Sequence, residues 1–155
     1  MKTIFRKLKK NEKGQSLVEL AISLVVLLVI LAGIIDLGRV IFVFIAMRDA
    51  AEEGAVYGSI APADCAGITT HVTDVLNHQN ILSSAGDITV TTTINGKACA
   101  SASEATDKCT GKPVEVSVRR DNFPITMPFL GAIIGRQSID LETHIENTII
   151  TPKCE

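Results

Sequence analysis

The sequence is poor in aromatic residues: among 155 residues there are no tryptophans, one tyrosine and five phenylalanines. Aromatic and basic residues are nowhere interleaved in the way that single-stranded nucleic-acid surfaces require. The formal net charge is −2, so the chain as a whole does not attract a phosphate backbone. We therefore predict no nucleic-acid partner.

The motifs of common active sites and metal sites are also missing. There is no Gly-x-Ser-x-Gly, no Walker loop, no dinucleotide fingerprint and no His-Glu-x-x-His. His71 and His78 are seven residues apart, about 10 Å along a helix, which is too far to share one metal ion. His144 lies on the polar face of a predicted strand. The sequence predicts neither an enzyme nor a cofactor nor a metal site.

Proline is absent before Pro62, and residues 20–35 carry no charge. Since nothing in residues 16–60 breaks a helix outright, the sequence predicts one long helix over residues 15–60. Roughly 17 to 25 apolar residues cross a bilayer, so residues 17–36 are the predicted membrane-spanning part. Beyond them the apolar residues occupy one side only, which predicts packing on a head. Glycines mark four places for a bend or a close neighbour: Gly33, Gly38, Gly54 and Gly58.

The charge is distributed unevenly. Residues 1–14 hold six Lys or Arg and one acid, a charge of +5, which leaves −7 for residues 15–155. Because basic residues accumulate on the cytoplasmic flank of a membrane segment, residues 1–14 are predicted to be cytoplasmic. Residues 61–155 then form an extracytoplasmic head.

The head shows one helical pattern followed by three alternating patterns. Apolar residues recur at helical spacing from Ile68 to Leu82. Residues 87–94, 114–118 and 138–146 alternate between apolar and polar positions, as half-buried strands do. We predict an α+β fold with a second helix covering an antiparallel sheet of about three strands.

The segment that joins the last two strands, residues 122–135, reads NFPITMPFLGAIIG. Its two prolines argue against regular strand, and it is too apolar for a solvated loop. Two interpretations stay open: a connection that fills the core of the head, or a patch that contacts the membrane surface or a neighbouring subunit.

Four cysteines lie in the part predicted to be outside, and none form a Cys-x-x-Cys pair. An even number without metal-ligand spacing favours disulfides over zinc, although buried free thiols are an alternative. Three connectivities are possible. The favoured one joins Cys99 to Cys109, which closes a small polar loop, and Cys65 to Cys154.

A processing signal precedes the apolar run instead of following it. No Ala-x-Ala lies close behind Ile35 in the way a secretory cleavage site requires, whereas Gly14 lies directly before the apolar residues, and a cut between Gly14 and Gln15 would remove the basic leader. A charged leader ending in Gly, then four residues and Glu19, resembles the type IV prepilin processing signal. That resemblance implies cleavage after Gly14 by a prepilin peptidase and makes Glu19 the fifth mature residue.

The stretch from Val18 to Ile60 resembles the amino-terminal region of TadE-like proteins, minor pilins or pseudopilins of the Tad (Flp) system. That family begins with Val-Glu-Phe or a similar triplet, has an acid and Gly close before Arg, and ends in Ala-Ala-x-Glu-Gly-Ala-x-Tyr. Leu20 departs from it, since the family often has an aromatic there. The matching residues are Glu19, Asp36, Gly38, Arg39, Ala50, Ala51, Glu53, Gly54, Ala55 and Tyr57.

The acids in the apolar helix have predicted partners. Cleavage would leave a charged α-amino group on Gln15, and that group on a neighbouring subunit is the natural counter-ion for Glu19, fixing the register of assembly. The alternative is that Glu19 marks the headgroup boundary. Asp36 and Arg39 are predicted to neutralise each other where the helix leaves the bilayer, with an intersubunit contact as the alternative.

Together, the residues and the resemblance predict a minor pilin or pseudopilin that assembles through its apolar helix into a Tad-type pilus or secretion filament. The predicted partners are the bacterial inner membrane, other pilin subunits, a prepilin peptidase and the Tad assembly platform. Two alternatives stay open: a major filament subunit, and a single-pass anchored binding protein that never assembles.

Overall fold

A computed structural model describes residues 12–79, 81, 88–127 and 135–153 of the chain, with side chains from Gly14 onwards. The fold is α+β, as predicted: a long amino-terminal helix, a second helix and an antiparallel sheet. The elements are α1 (Glu12–Ile60), α2 (Cys65–His78), β1 (Ile88–Ile94), β2 (Lys97–Ala98), a 3-10 turn (Cys99–Ser101), β3 (Pro113–Pro124) and β4 (Ser138–Thr148).

The sheet has four strands in the order β2-β1-β3-β4, and every neighbouring pair is antiparallel. The three predicted strands are β1, β3 and β4; the additional strand, β2, is two residues long and too short to show alternation. Asn95 and Gly96 form the turn between β1 and β2 with φ angles of 51° and 75°. Asn-Gly is the favoured pair for such a turn because both residues tolerate positive φ.

The core lies between one face of the sheet and the two helices. The second half of α1 contributes Met47, Ala50 and Ala51, which are fully buried, and the sheet contributes alternate residues of β3. Small alanines on α1 let the backbones of the helices and the sheet approach closely. The other fully buried apolar residues that complete this layer are Ala55, Ile68, Val72, Leu76, Ile94, Val114, Val116, Val118 and Ile149.

Helix α2 starts and ends before its predicted limits. Asp64 accepts a hydrogen bond from the backbone N–H of Gly67 at 2.8 Å and so caps the helix, which begins at Cys65 instead of Ile68. The helix ends at His78, and Gln79 donates back to the carbonyl of Val75. Leu82, the predicted end, lies outside the described residues.

Strand β3 continues into the segment whose prolines argue against strand. The register between β3 and β4 shifts between Arg120 and Phe123, where Asn122 has φ of 56°, and pairing then resumes to Pro124. Strand β1 begins opposite Arg120, so among the described residues the part of β3 beyond Arg120 pairs with β4 only. A proline is tolerated at such an edge. The prediction that prolines exclude regular strand was therefore wrong for residues 122–124, which belong to β3. Residues 128–134 lie outside the described part.

The favoured disulfide pairing was also wrong. Cys99 is bonded to Cys65, with their Cα atoms 5.9 Å apart, and not to Cys109. The short hairpin and the 3-10 turn bring Cys99 back to the start of α2, which sequence spacing alone does not reveal. The bond therefore links the residue after β2 covalently to the first residue of α2, at the corner between the two helices. Cys109 is also disulfide-bonded, and Cys154 lies outside the described residues.

The polar loop between Cys99 and Cys109 is held by a buried carboxylate. Asp107 accepts hydrogen bonds from Lys97 Nζ at 2.7 Å, Asn95 Nδ2 at 2.8 Å and the backbone N–H of Ser103 at 2.9 Å. These donors, Lys97 first, lower the pKa of Asp107 well below its usual range. The loop is thereby fastened to the β1–β2 turn.

Candidate functional site: the apolar helix and its exit from the membrane region

The first half of α1 is exposed on all sides, although nearly all of its residues are apolar. Leu17 is 68% exposed and Ile34 is 62% exposed, and the apolar residues between them are similar. Within the described residues α1 is the one helix long and apolar enough to cross a membrane. An all-round apolar cylinder without protein cover fits a membrane anchor.

The residues of the predicted processing signal lie together near the start of α1. Helix α1 is described from Glu12 onwards, so the bond between Gly14 and Gln15 lies within the helix. Gln15, Glu19 and Ser23 follow one another at intervals of one turn and border a shallow groove with Gly14. The Glu19 side chain is exposed, and among the described residues it has no hydrogen bond or ion pair.

Asp36 is buried, with 4% exposure, although Ile35 and Leu37 beside it are more than half exposed. Its closest partners come from the head: Thr126 Oγ1 donates to Asp36 Oδ1 at 2.6 Å, and the backbone N–H of Met127 donates to Oδ2 at 2.5 Å. Arg39 Nη1 lies 3.4 Å from Oδ1. The predicted pair of Asp36 and Arg39 therefore exists, but two contacts from the head are shorter.

The residues that follow β3 lie along α1 beside this carboxylate. The sulfur of Met127 lies 3.5 Å from the position that a Cβ on Gly33 would occupy, so this segment contacts α1 a turn below Asp36. Sequence analysis missed this contact. The available signal was Thr126, a hydroxyl between two prolines in a segment otherwise apolar. The position of the pair at the bilayer boundary stays a prediction.

A second polar cluster holds the corner between α1 and α2. Tyr57 donates to Asp64 Oδ2 at 2.8 Å, and its ring stacks on His71 with centroids 4.1 Å apart. His71 Nδ1 in turn lies 3.6 Å from Glu53 Oε1. The hydrogen bond from the backbone N–H of Gly67, and after it the one from the Tyr57 hydroxyl, lower the pKa of Asp64. The hydrogen bond between Tyr57 and Asp64 also raises the pKa of Tyr57.

The Ala-Ala-x-Glu-Gly-Ala-x-Tyr stretch thus has a structural explanation. A Cβ on Gly54 would lie 2.4 Å from Val72 Cγ2, and one on Gly58 would lie 2.9 Å from Val114 Cγ2. Only glycine permits α2 and the sheet to approach α1 so closely. The small residues form the contact with the head, and the tyrosine and the glutamate form the corner.

The described residues contain no cluster of His, Cys, Asp or Glu that could hold a metal ion. His71 is part of the corner, and His78 and His144 are exposed side chains on α2 and β4. Two cavities open on the described surface: one lies between α1, the residues just after α2 and β3, and the other lies between α1 and β4.

These features define a class of protein: a head of mixed α and β structure carried on a long helix that fits a membrane anchor. The family model described as "TadE-like protein" matches residues 14–56, which confirms the resemblance over the long helix. No curated protein and no solved structure matches the chain. The TadE-like match and the apolar helix together fit a component related to the Tad pilus.

Proposed function

We propose that the protein is a minor pilin or pseudopilin, cleaved after Gly14 and assembled through its apolar helix into a Tad-type pilus or secretion filament. The observation that carries this proposal is the first half of α1. It presents an exposed carboxylate, Glu19, one turn above Gln15 on the same side of an apolar cylinder. Apart from the contact of Met127 at Gly33, this half is largely exposed among the described residues.

Cleavage would convert this arrangement into an assembly signal. The new α-amino group of Gln15 is positively charged at neutral pH, since such groups have a pKa near 8. A charge among apolar helices is costly unless it is paired, so Glu19 of one subunit and the amino terminus of the next would attract each other. Loss of one partner from a buried pair costs about 3 to 5 kcal/mol, which is enough to select one register.

The proposed orientation places residues 1–14 in the cytoplasm and the head outside. The +5 charge of the leader supports this orientation. The Cys65–Cys99 bond supports it too, because disulfides persist in oxidising compartments. In this arrangement a membrane-embedded prepilin peptidase would meet Gly14 on the cytoplasmic side, and the Tad assembly platform would receive the mature helix.

Intact-mass measurement of the membrane-extracted protein tests the first step. We expect the mature species to start at Gln15 when a prepilin peptidase of this class is co-expressed, and the full-length species when it is absent. Replacement of Gly14 by a bulky residue, Gly14→Leu, should block the cut. A leader that is retained with an active peptidase would contradict the proposal.

Substitution of Glu19 tests the second step. Glu19→Gln keeps the shape and removes the charge, so we expect normal insertion and cleavage but at least about tenfold less protein in sheared filaments, given the cost of an unpaired partner. Ser23→Ala, one turn further on the same side of α1, is the matched control and should assemble normally. If Glu19→Gln also assembles normally, the residue only marks the boundary, and the anchored binding protein becomes the better hypothesis.

A further inference from the structure

One side of α1 is exposed beyond the predicted membrane span, where the opposite side packs on the head. Ile41 is 49% exposed and Ile45 is 51% exposed. The exposed side chains of Arg48 and Glu52 continue the same side. At about 100° per residue, these four residues fall within an arc of about 60°, and we call them the outer side of α1. Neither the processing signal nor the proposed contact of Glu19 uses them.

The two isoleucines of the outer side lie above the part of the helix that lipid is predicted to cover. If residues 17–36 span the bilayer, Ile45 is nine residues beyond Asp36, about 13.5 Å along the helix. The headgroup layer is only about 5 to 7 Å thick on each side. Adjacent apolar side chains that are exposed at this height indicate a protein neighbour on this side of α1.

The two charged residues of the outer side are exposed and have no hydrogen bond or ion pair among the described residues. Within one helix, a cation that precedes an acid by four residues is the less favourable order for a pair. Arg48 also lines a cavity with Glu142 and His144 of β4. Glu142 Oε2 lies 3.8 Å from Arg119 Nη1, so this carboxylate already has a cation beside it. The described head therefore leaves Arg48 and Glu52 open to a neighbour.

The spacing of these charges repeats the spacing of the proposed assembly contact. In that contact the positive amino group of Gln15 meets Glu19 of a neighbouring copy, four residues later in the sequence. Arg48 and Glu52 have the same order of charge and the same separation. Two parallel copies of α1 that are offset by four residues, about 6 Å, bring Gln15 of one copy level with Glu19 of the next. The same offset brings Arg48 level with Glu52.

The two pairs also lie on neighbouring sides of the helix. In a straight α-helix Arg48 lies about 60° around the axis from Gln15, and Glu52 lies at the same angle from Glu19. Three 11-residue repeats separate the pairs, and 11 residues is the period of a right-handed supercoil. Packed helices have their axes about 8 to 10 Å apart, a gap that arginine and glutamate side chains bridge. One neighbouring helix with a slight right-handed crossing can therefore contact both pairs.

We propose that the outer side of α1 is a contact between neighbouring copies of this chain, in which Arg48 of one copy pairs with Glu52 of the next. Ile41 and Ile45 pack between the two helices. The occupant is a second copy because its own α1 carries the complementary charge at the matching level. The contact rests on the proposed filament assembly and adds a second fixed point to it, about nine turns above the first. One pair sets the offset of two helices, and two distant pairs also set how the helices cross.

Charge reversal in two differently tagged copies, co-expressed with the Tad assembly platform, tests this contact. Arg48→Glu alone and Glu52→Arg alone place like charges opposite each other. We therefore expect each to reach at most about a tenth of the unsubstituted amount in sheared filaments. When the two variants alternate, each supplies the charge that the other lacks. Co-expression should therefore restore filaments that contain both tags, which a pair within one helix could not achieve.

Asp49→Arg in the second copy, in place of Glu52→Arg, is the matched control. Asp49 is exposed, but it lies three residues below Glu52 and about 60° around α1, so the Arg48→Glu copy should stay at its low level. The near-ultraviolet signal of Tyr57, the single tyrosine of the chain, shows that each variant keeps its folded head.

The outcomes separate this contact from the proposed function. Normal filaments from either folded single variant would overturn the contact and leave assembly through Glu19 standing. Failure of the two folded variants to restore each other would do the same, as would equal rescue by Asp49→Arg. Absence of filaments from the unsubstituted chain would overturn both the contact and the proposed function.

Discussion

The two halves of α1 are one continuous helix with opposite surroundings. Between Leu17 and Ile35 most of the large apolar side chains are about half to two-thirds exposed, whereas Met47, Ala50, Ala51 and Ala55 are fully buried against the head. The first half is rich in Leu, Val and Ile, and the second half presents alanine and glycine at its contacts. Large side chains suit lipid and other helices, while small ones let a folded domain come close.

The difference indicates which partners each half needs. The buried side of the second half finds its partners within the chain, so substitutions there should change folding of the head. Apart from the contact of Met127 at Gly33, the first half is largely exposed in the described part, so substitutions before Gly33 should change insertion or assembly and leave the head intact. Asp36 lies between the halves, and Met127 extends the contact of the head one turn below it, to Gly33.

A matched pair of glycine substitutions should show the largest contrast. Gly54→Ala places a Cβ 2.4 Å from Val72 Cγ2 in a filled core, and overpacking of this kind typically costs about 1 to 3 kcal/mol. Gly38→Ala meets nothing within 4 Å and should gain up to about 1 kcal/mol of helix propensity. Thermal unfolding of the full chain in detergent, followed through Tyr57, measures both. Equal melting temperatures would contradict the division of α1.

Substitution of Asp36 tests the contact between α1 and the head at the boundary of the two halves. Asp36→Ala removes the acceptor of Thr126 and Met127, and a hydrogen bond to a charged group contributes about 1.5 to 3 kcal/mol. We expect the Met127 amide to exchange its hydrogen about 10 to 100 times faster while the core of β3 keeps its protection. Asp121→Ala removes an exposed ion pair with Arg119 and is the control, with little expected change. Unchanged exchange at Met127 would show that the segment is held by Gly33 and not by Asp36.

The sequence predicted the features that depend on periodicity and failed where a contact joins distant residues. The long helix, the second helix and β1, β3 and β4 follow from apolar spacing and the absence of proline. The Cys65–Cys99 bond and the contact of Thr126 with Asp36 depend on how the hairpin and β3 fold back onto the helices. Their partners are 34 and 90 residues apart, so no local pattern reveals them.

The candidate site divides in the same way. Gly14, Gln15 and Glu19 were visible as a linear motif, because the role that we propose for them depends on spacing along one helix. The packing of Arg39 and Arg120 against Phe123 was not visible, since it depends on a register shift in β3 at the start of a segment whose prolines argue against regular strand. A motif that acts before assembly is linear, whereas a surface formed by folding is not.

The smallest predicted effect is that acid pH lowers the stability of the head but does not change the helicity of the first half of α1. The pKa of Asp107 is lowered in the folded state, so its charge stabilises the head above the usual carboxyl pKa of about 3.9. That contribution should disappear as the pH falls below about 4 toward the folded pKa. Asp107→Asn should therefore lower the melting temperature at pH 7 more than at pH 3, measured through Tyr57. The helicity of the first half of α1 should be the same in the unsubstituted chain and in Asp107→Asn at both pH values, because no described contact joins Asp107 to residues 14–35. An Asp107→Asn difference that is independent of pH would show that the carboxylate acts through shape and not through its charge.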